Sequence, residues 1–148
     1  MMGFFAIRRL IESKGRLSQS TIRRPIRLTQ FTSKSQHVTL LNCHKIDRHF
    51  NLASPRPKYL GLEDLCNQFI HSYVFTPFFG VRLGLQGFLV SSERKRKRAL
   101  YEVPVRTVIT VFRRAAADDP NSIHGEFDTS IGDYRVTARM LKDREHAA

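Results

Sequence analysis

The chain has no tryptophan and only two cysteines, Cys43 and Cys66, in 148 residues. Two thiols cannot form the disulfide framework of a small secreted domain. No Asn-x-Ser/Thr acceptor occurs either, so nothing points to a secreted glycoprotein, and a reducing, intracellular setting is expected. Acid is scarce at the front: through residue 46 the only carboxylate side chain is Glu12. The N-terminus lacks a continuous apolar core segment, which disfavours a secretory signal. Residues 69–90 would be long enough to cross a bilayer, but Arg82 near the middle would cost about 2.5–3.5 kcal/mol there. His71, Pro77 and Gln86 weaken a membrane span further.

What the chain has in quantity is positive charge: 25 Lys/Arg against 13 Asp/Glu, net +12. The excess is uneven. Residues 1–58 hold 12 Lys/Arg and 2 Asp/Glu, net +10, while residues 59–148 hold 13 and 11, net +2. Asymmetry of this size points to nucleic acid, an anionic membrane surface or import machinery, with plain solubility as the bland alternative. Hydrophobic residues make up 41%, and eleven phenylalanines supply large apolar volume. That is enough for one domain with a modest core and a tail.

In "MMGFFAIRRLIESKG", Phe4, Ile7 and Ile11 fall at i, i+3, i+7 with Leu10 beside them, and Gly15 is a plausible stop. This reads as a short cationic amphipathic helix. The following stretch is rich in Arg, Ser and Thr and includes Arg23, Arg24 and Arg27. An amphipathic, Arg-rich, Ser-rich, acid-poor segment has the composition of a mitochondrial transit peptide. The membrane potential would draw such a helix inward while a receptor groove reads its apolar face. A permanent basic arm on RNA, or a helix lying on lipid, are the competing readings.

Pro55, Pro57 and Gly61 mark a linker. After it, Leu62, Leu65, Cys66, Phe69, Ile70, Tyr73 and Val74 give the strongest helical period in the chain. Glu63 and Asp64 in the first turn suit the helix dipole. From Val81 the period changes to two. Four strands are expected: Val81–Leu89, Val103–Val111, Ile123–Ile131 and Tyr134–Met140. Gly132-Asp133 marks a hairpin, and Pro104 an edge or bulge. The expected fold is α+β: one amphipathic helix packed on a four-stranded antiparallel sheet, with an extended basic N-terminal arm. The domain reading is residues 1–58 as arm or targeting-like segment plus linker, and 59–148 as the folded body.

"CHKIDRH" offers Cys43, His44, Asp47 and His49, but only the two histidines match a zinc-like spacing, so no metal is expected. Cys66 lies on the apolar stripe, and His71, about 500° further round, does not share its face. His124, Glu126 and Asp128 alternate outward on a strand, which reads better as a solvated face than as acid–base machinery. The three glycines of "GVRLGLQG" lack the spacing and lysine of a phosphate loop, and no Gly-x-Ser-x-Gly occurs. No catalytic constellation, cofactor or small-molecule substrate is expected.

The remaining signal is "RKRKR", Arg94, Lys95, Arg96, Lys97 and Arg98. Burying five adjacent cations without partners is prohibitive, so they are expected on an exposed loop between two antiparallel strands. They would hold phosphates with counterion release, joined by Arg106, Arg113 and Arg114, by Arg135 and Arg139, and by Arg23, Arg24 and Arg27 of the arm. A nuclear-localisation-type address is the alternative. No aromatic ladder interleaves these arginines, so contact to backbone phosphate and shape is expected rather than base stacking. Taken together, the residues predict a non-catalytic basic subunit of a larger RNA-containing assembly, mitochondrial and ribosome-like, touching RNA and protein neighbours. The alternatives are an accessory subunit of a mitochondrial membrane complex on an anionic membrane surface, and a viral or regulatory interaction protein of nuclear or cytoplasmic location.

Overall fold

A computed structural model describes residues 1–34 and 37–141; residues 142–148, the end of the expected 59–148 body, lie outside them. The elements in chain order are α1 (Met2–Glu12), α2 (Gln19–Arg23), β1 (Ile26–Thr32), α3 (Ile46–His49), β2 (Arg56–Leu60) and α4 (Leu62–Ile70). They continue with β3 (Ser72–Phe79), β4 (Leu85–Ser92), β5 (Ala99–Pro104), α5 (Val105–Ala117), β6 (Ser122–Asp128) and β7 (Asp133–Arg139). The class is α+β, as the residue pattern implies, but the architecture is richer than one helix on four strands. Five strands form an antiparallel sheet in the order β2-β1-β5-β4-β3, and β6 and β7 pair separately as a two-stranded ribbon.

The sheet is buried on both faces by alternation. Ile26 and Leu28 of β1, Tyr101 and Val103 of β5 and Val90 of β4 join the core cluster made with α1, α4 and α5. Phe31, Leu100 and Val74 join the opposite cluster, where Val38, Ile46 and Phe50 pack. Both edge strands carry a proline, Pro57 in β2 and Pro77 in β3, which removes a ladder donor where there is no further strand to receive it.

The N-terminal segment is not an extended arm. Phe4 and Ile7 of the expected helix are buried in the core, and β1 lies inside the sheet, paired to β2 on one side and β5 on the other. The boundary expected at residue 58 falls within β2. Polar ties reinforce this packing. Arg8 bridges Glu12 of its own helix at 2.9 Å and Glu63 of α4 at 2.5 Å. The Asp118 carboxylate accepts from the Ser18 amide at 2.7 Å and from its hydroxyl at 3.0 Å. Gly15, with φ of +89°, reverses the chain after α1, a conformation glycine adopts without steric cost.

The expected strand Val103–Val111 is a strand only to Pro104. From Val105 the chain is helical, and its buried residues are Val111 and Ala115 with Val108 and Phe112 partly buried. Those four fall at i, i+3, i+4, i+7, so the segment carries both periods at once. Burial of that stripe overrides the low helix preference of its β-branched residues. The helix expected to reach Val74 ends at Ile70, and the aromatic and β-branched residues after it form β3. The first expected strand is β4, shifted to Leu85–Ser92. The last two are β6 and β7, turned at Gly132 with φ of +64°. No helix among the described residues is long and apolar enough to cross a membrane.

Candidate nucleic-acid interface

Arg94–Arg98 form the turn that joins β4 to β5, as their charge requires. The chain turns through Lys95 N–H to Ser92 O at 2.9 Å, Arg96 N–H to Ser92 O at 2.8 Å and Ala99 N–H to Lys95 O at 2.9 Å. Arg94, Lys95, Lys97 and Arg98 are exposed. Arg96 is half-buried, with its guanidinium 4.0 Å from the centre of the Tyr73 ring. That stacking anchors the turn while leaving four cations in solvent.

The other predicted cations do not join this turn. Four of them, Arg24, Arg27, Arg106 and Arg114, gather at the opposite end of β5, about 17 Å away along the strand at its usual rise. Arg27 of β1 and Arg106 of α5 line a cleft of about 460 Å³ together with Arg56 of β2. Both also line an adjoining cleft of about 300 Å³ with Arg114. Arg24, just past α2, is close enough to Arg114 to oppose its charge. Burial first, and Arg24 second, push the Arg114 guanidinium below its ordinary value, the effect of like charges held together in a partly dehydrated place. No described ion pair includes Arg24, Arg27, Arg56, Arg106 or Arg114.

Helix geometry makes this patch. Arg106, Thr110, Arg113 and Arg114 lie within about 100° of arc on α5, opposite its buried stripe, and the helix contains no acid. Arg106, expected within the strand Val103–Val111, thus lies on a helix face together with Arg113 and Arg114. Arg113 and Arg23 are exposed nearby in sequence but line neither cleft. Arg135 is taken up by Asp128 on the ribbon, and Arg139 lies at the ribbon's far end opposite Ser122. Arg56 is the contributor that sequence reading missed. It sits in a Pro-x-Pro stretch with linker composition, and only the β1–β2 register, Gln30 opposite Arg56, carries it to the patch.

Among the described residues no three metal-ligating side chains come together. His49 is buried, its Nε2 3.1 Å from the Asn42 carbonyl oxygen and its Nδ1 without a partner among the described residues. On the outer ribbon face the Ser130 hydroxyl, then its amide, holds the Asp128 carboxyl below the usual range. Cys66 has no exposed surface, and burial pushes its thiol up to about 12. The unfolded thiol ionises from about pH 8.5, so in alkali the unfolded state holds fewer protons than the native one. Stability is therefore expected to fall by about 1.4 kcal/mol per pH unit above that point. Urea midpoints from pH 8 to 10.5 should show this fall in wild type and lose it in Cys66→Ala. A fall that persists unchanged in the variant would remove the assignment to Cys66.

Comparison with protein-family models, with curated proteins and with solved structures found no match.

Proposed function

We propose that the protein is a non-catalytic, basic structural subunit of an RNA-containing assembly, mitochondrial and ribosome-like, and that it grips phosphate backbone. One observation carries this reading. Arg24 after α2, Arg27 of β1, Arg56 of β2, and Arg106 and Arg114 of α5 converge with no carboxylate among the described residues paired to them. Unpaired like charges destabilise the native state through their mutual repulsion, and a polyanion relieves that cost by exchanging condensed counterions for arginine. The Arg94–Arg98 turn supplies a second contact at the other end of β5, so a strand or duplex can be held at two points.

The mitochondrial part of the proposal rests on the composition of residues 1–46, with nine Lys/Arg and one acid. The apolar face of α1 is part of the core, so in this reading the segment is read by the import machinery before folding and retained afterwards. The same burial speaks against α1 lying on lipid in the folded protein.

The test is binding of the full chain to an RNA duplex across a salt series. With about four to six phosphate contacts, log affinity is expected to fall with log salt at a slope of about −4 to −5. A slope near zero would sink the polyanion reading. Stronger binding to anionic vesicles than to RNA would move the protein to the membrane-complex alternative.

A further inference from the structure

The cations of the 94–98 turn do not simply face solvent. Lys95 and Arg98 overhang α4, and between the turn and the helix lie two adjoining cavities, of about 290 and 710 Å³. Both are lined by Asp64, Gln68, Lys95 and Arg98. The smaller also reaches Gln30, Lys58 and Tyr101 across the sheet, and the larger Asn67 and His71 at the end of α4.

Two little-exposed polar residues that line these cavities have bonding capacity to spare. Tyr101 is only 3% exposed, yet its hydroxyl makes no hydrogen bond among the described residues. Tyr101 lines the smaller cavity, so the hydroxyl is available to whatever enters there. Burial, then the charge of Asp64, pushes its phenol above the ordinary value, which keeps it a neutral O–H donor. Gln68 is 4% exposed. Its Oε1 accepts from the Ser92 amide at 3.0 Å, while its Nε2 has only a 3.5 Å contact to the Asp64 carbonyl oxygen. An amide nitrogen carries two donors, so Gln68 has at least one left. Asp64 is exposed and in no described ion pair. The trough therefore offers the Asp64 carboxylate, a phenol and an amide donor on its floor and, on its rim, Lys95 and Arg98, which are in no described ion pair, with Lys58, Arg94 and a second carboxylate, Glu93, beside them.

We propose that this trough is a ribonucleotide-binding site: Lys95 and Arg98 hold the phosphate, and Asp64, Tyr101 and Gln68 hold the ribose hydroxyls. The amides and imidazole of Asn67 and His71 lie where the base follows. A carboxylate accepting from a ribose hydroxyl distinguishes RNA from DNA, because only the ribose has the 2′-OH to donate. A phosphate alone would use the rim and leave the floor unmatched. The floor thus selects a phosphate ester that carries hydroxyls, either as a free nucleotide or as one residue of an RNA strand. The inference rests on the polyanion reading only for the two rim cations. The arginine patch at the start of α5 takes no part in it.

The experiment is calorimetric titration of the full chain with AMP, 2′-deoxy-AMP, inorganic phosphate and the hexamer r(A)6, with binding to an RNA duplex measured in parallel. AMP is expected to bind at least about tenfold more tightly than its 2′-deoxy form, the worth of one hydrogen bond to a charged group. In Asp64→Asn that ratio should fall towards one. Tyr101→Phe should weaken AMP about fivefold by removing one hydroxyl. Tighter binding of r(A)6 than of AMP identifies the strand as the source, and equal binding the free nucleotide. If neither AMP nor r(A)6 binds while the duplex still does, the trough assignment is overturned and the polyanion reading stands. If inorganic phosphate binds as tightly as AMP, or if the ratio is unchanged in Asp64→Asn, the ribonucleotide assignment is likewise overturned. Loss of salt-dependent duplex binding with AMP binding intact would instead remove the polyanion reading alone.

Discussion

Reversing charge at Arg27 and Arg106 together, as Arg27→Glu/Arg106→Glu, is expected to weaken binding to an RNA duplex by about a hundredfold at 0.1 M salt. The figure follows from counterion release. Each neutralised phosphate contributes a slope near −0.9, so at 0.1 M each contact is worth close to tenfold relative to 1 M. The slope itself should become shallower by about two. Both side chains are exposed and in no described ion pair, so the native fold should survive, as an unchanged urea midpoint would verify. The pair is also the sharpest choice, because Arg27 and Arg106 are the two cations shared by both adjoining clefts. A double variant that keeps the wild-type slope would show that RNA, if bound, is bound elsewhere. Replacing Lys95 and Arg98 should cost less duplex affinity, since the α5 patch remains.

Phe4→Ala is expected to lose about 3–5 kcal/mol of folding free energy, the range for deleting a buried phenylalanine ring. Phe4 is 2% exposed. Its ring stacks on Phe69 of α4 with centroids 3.9 Å apart and meets Phe112 of α5 edge-on at 5.0 Å. Removing it therefore leaves a cavity at the junction of three helices. Against a typical total stability of about 5–15 kcal/mol, that loss is severe. Urea denaturation should show a midpoint lower by about 2 M at the slope usual for small proteins. A chain lacking residues 1–17 would also expose the surfaces that Phe4, Ile7 and Leu17 cover, and it is expected not to fold. A loss below about 1 kcal/mol for Phe4→Ala would mean that α1 is a detachable segment after all. This prediction separates a leader that is discarded from one that becomes part of the body.

Much of the local structure was legible. The i, i+3, i+4 rhythm of Leu62, Leu65, Cys66 and Phe69 is α4. Strict alternation from Ile123 and from Tyr134 is the ribbon, paired as the turn at Gly132 predicts. The exposed turn at Arg94–Arg98 followed from the cost of burying charge alone. Three things were not legible. Val103–Val111 alternates as a strand, but Val108, Val111, Phe112 and Ala115 also form a helical stripe, and local pattern does not choose between the two. Ile26-Arg27-Leu28 alternates too, but within a stretch whose basic composition reads as an arm. The edge strand Arg56–Leu60 has almost no apolar face, so no periodicity marks it.

The sequence by itself determined that this is an α+β protein, that its charge is strongly positive, and that the run of five adjacent cations must lie on an exposed turn. Each of these follows from short-range causes: residue volume, hydrophobic period and the cost of dehydrating a charge. Only the tertiary structure decided that the cationic lead is core, that the arginines divide into two patches, and which of them meet. Arg27, Arg56 and Arg106 are far apart in the chain and become neighbours through strand register and the exit of α5 from β5. Register and helix placement are set by which apolar faces can be buried together, a property of the whole chain that no single window of residues contains.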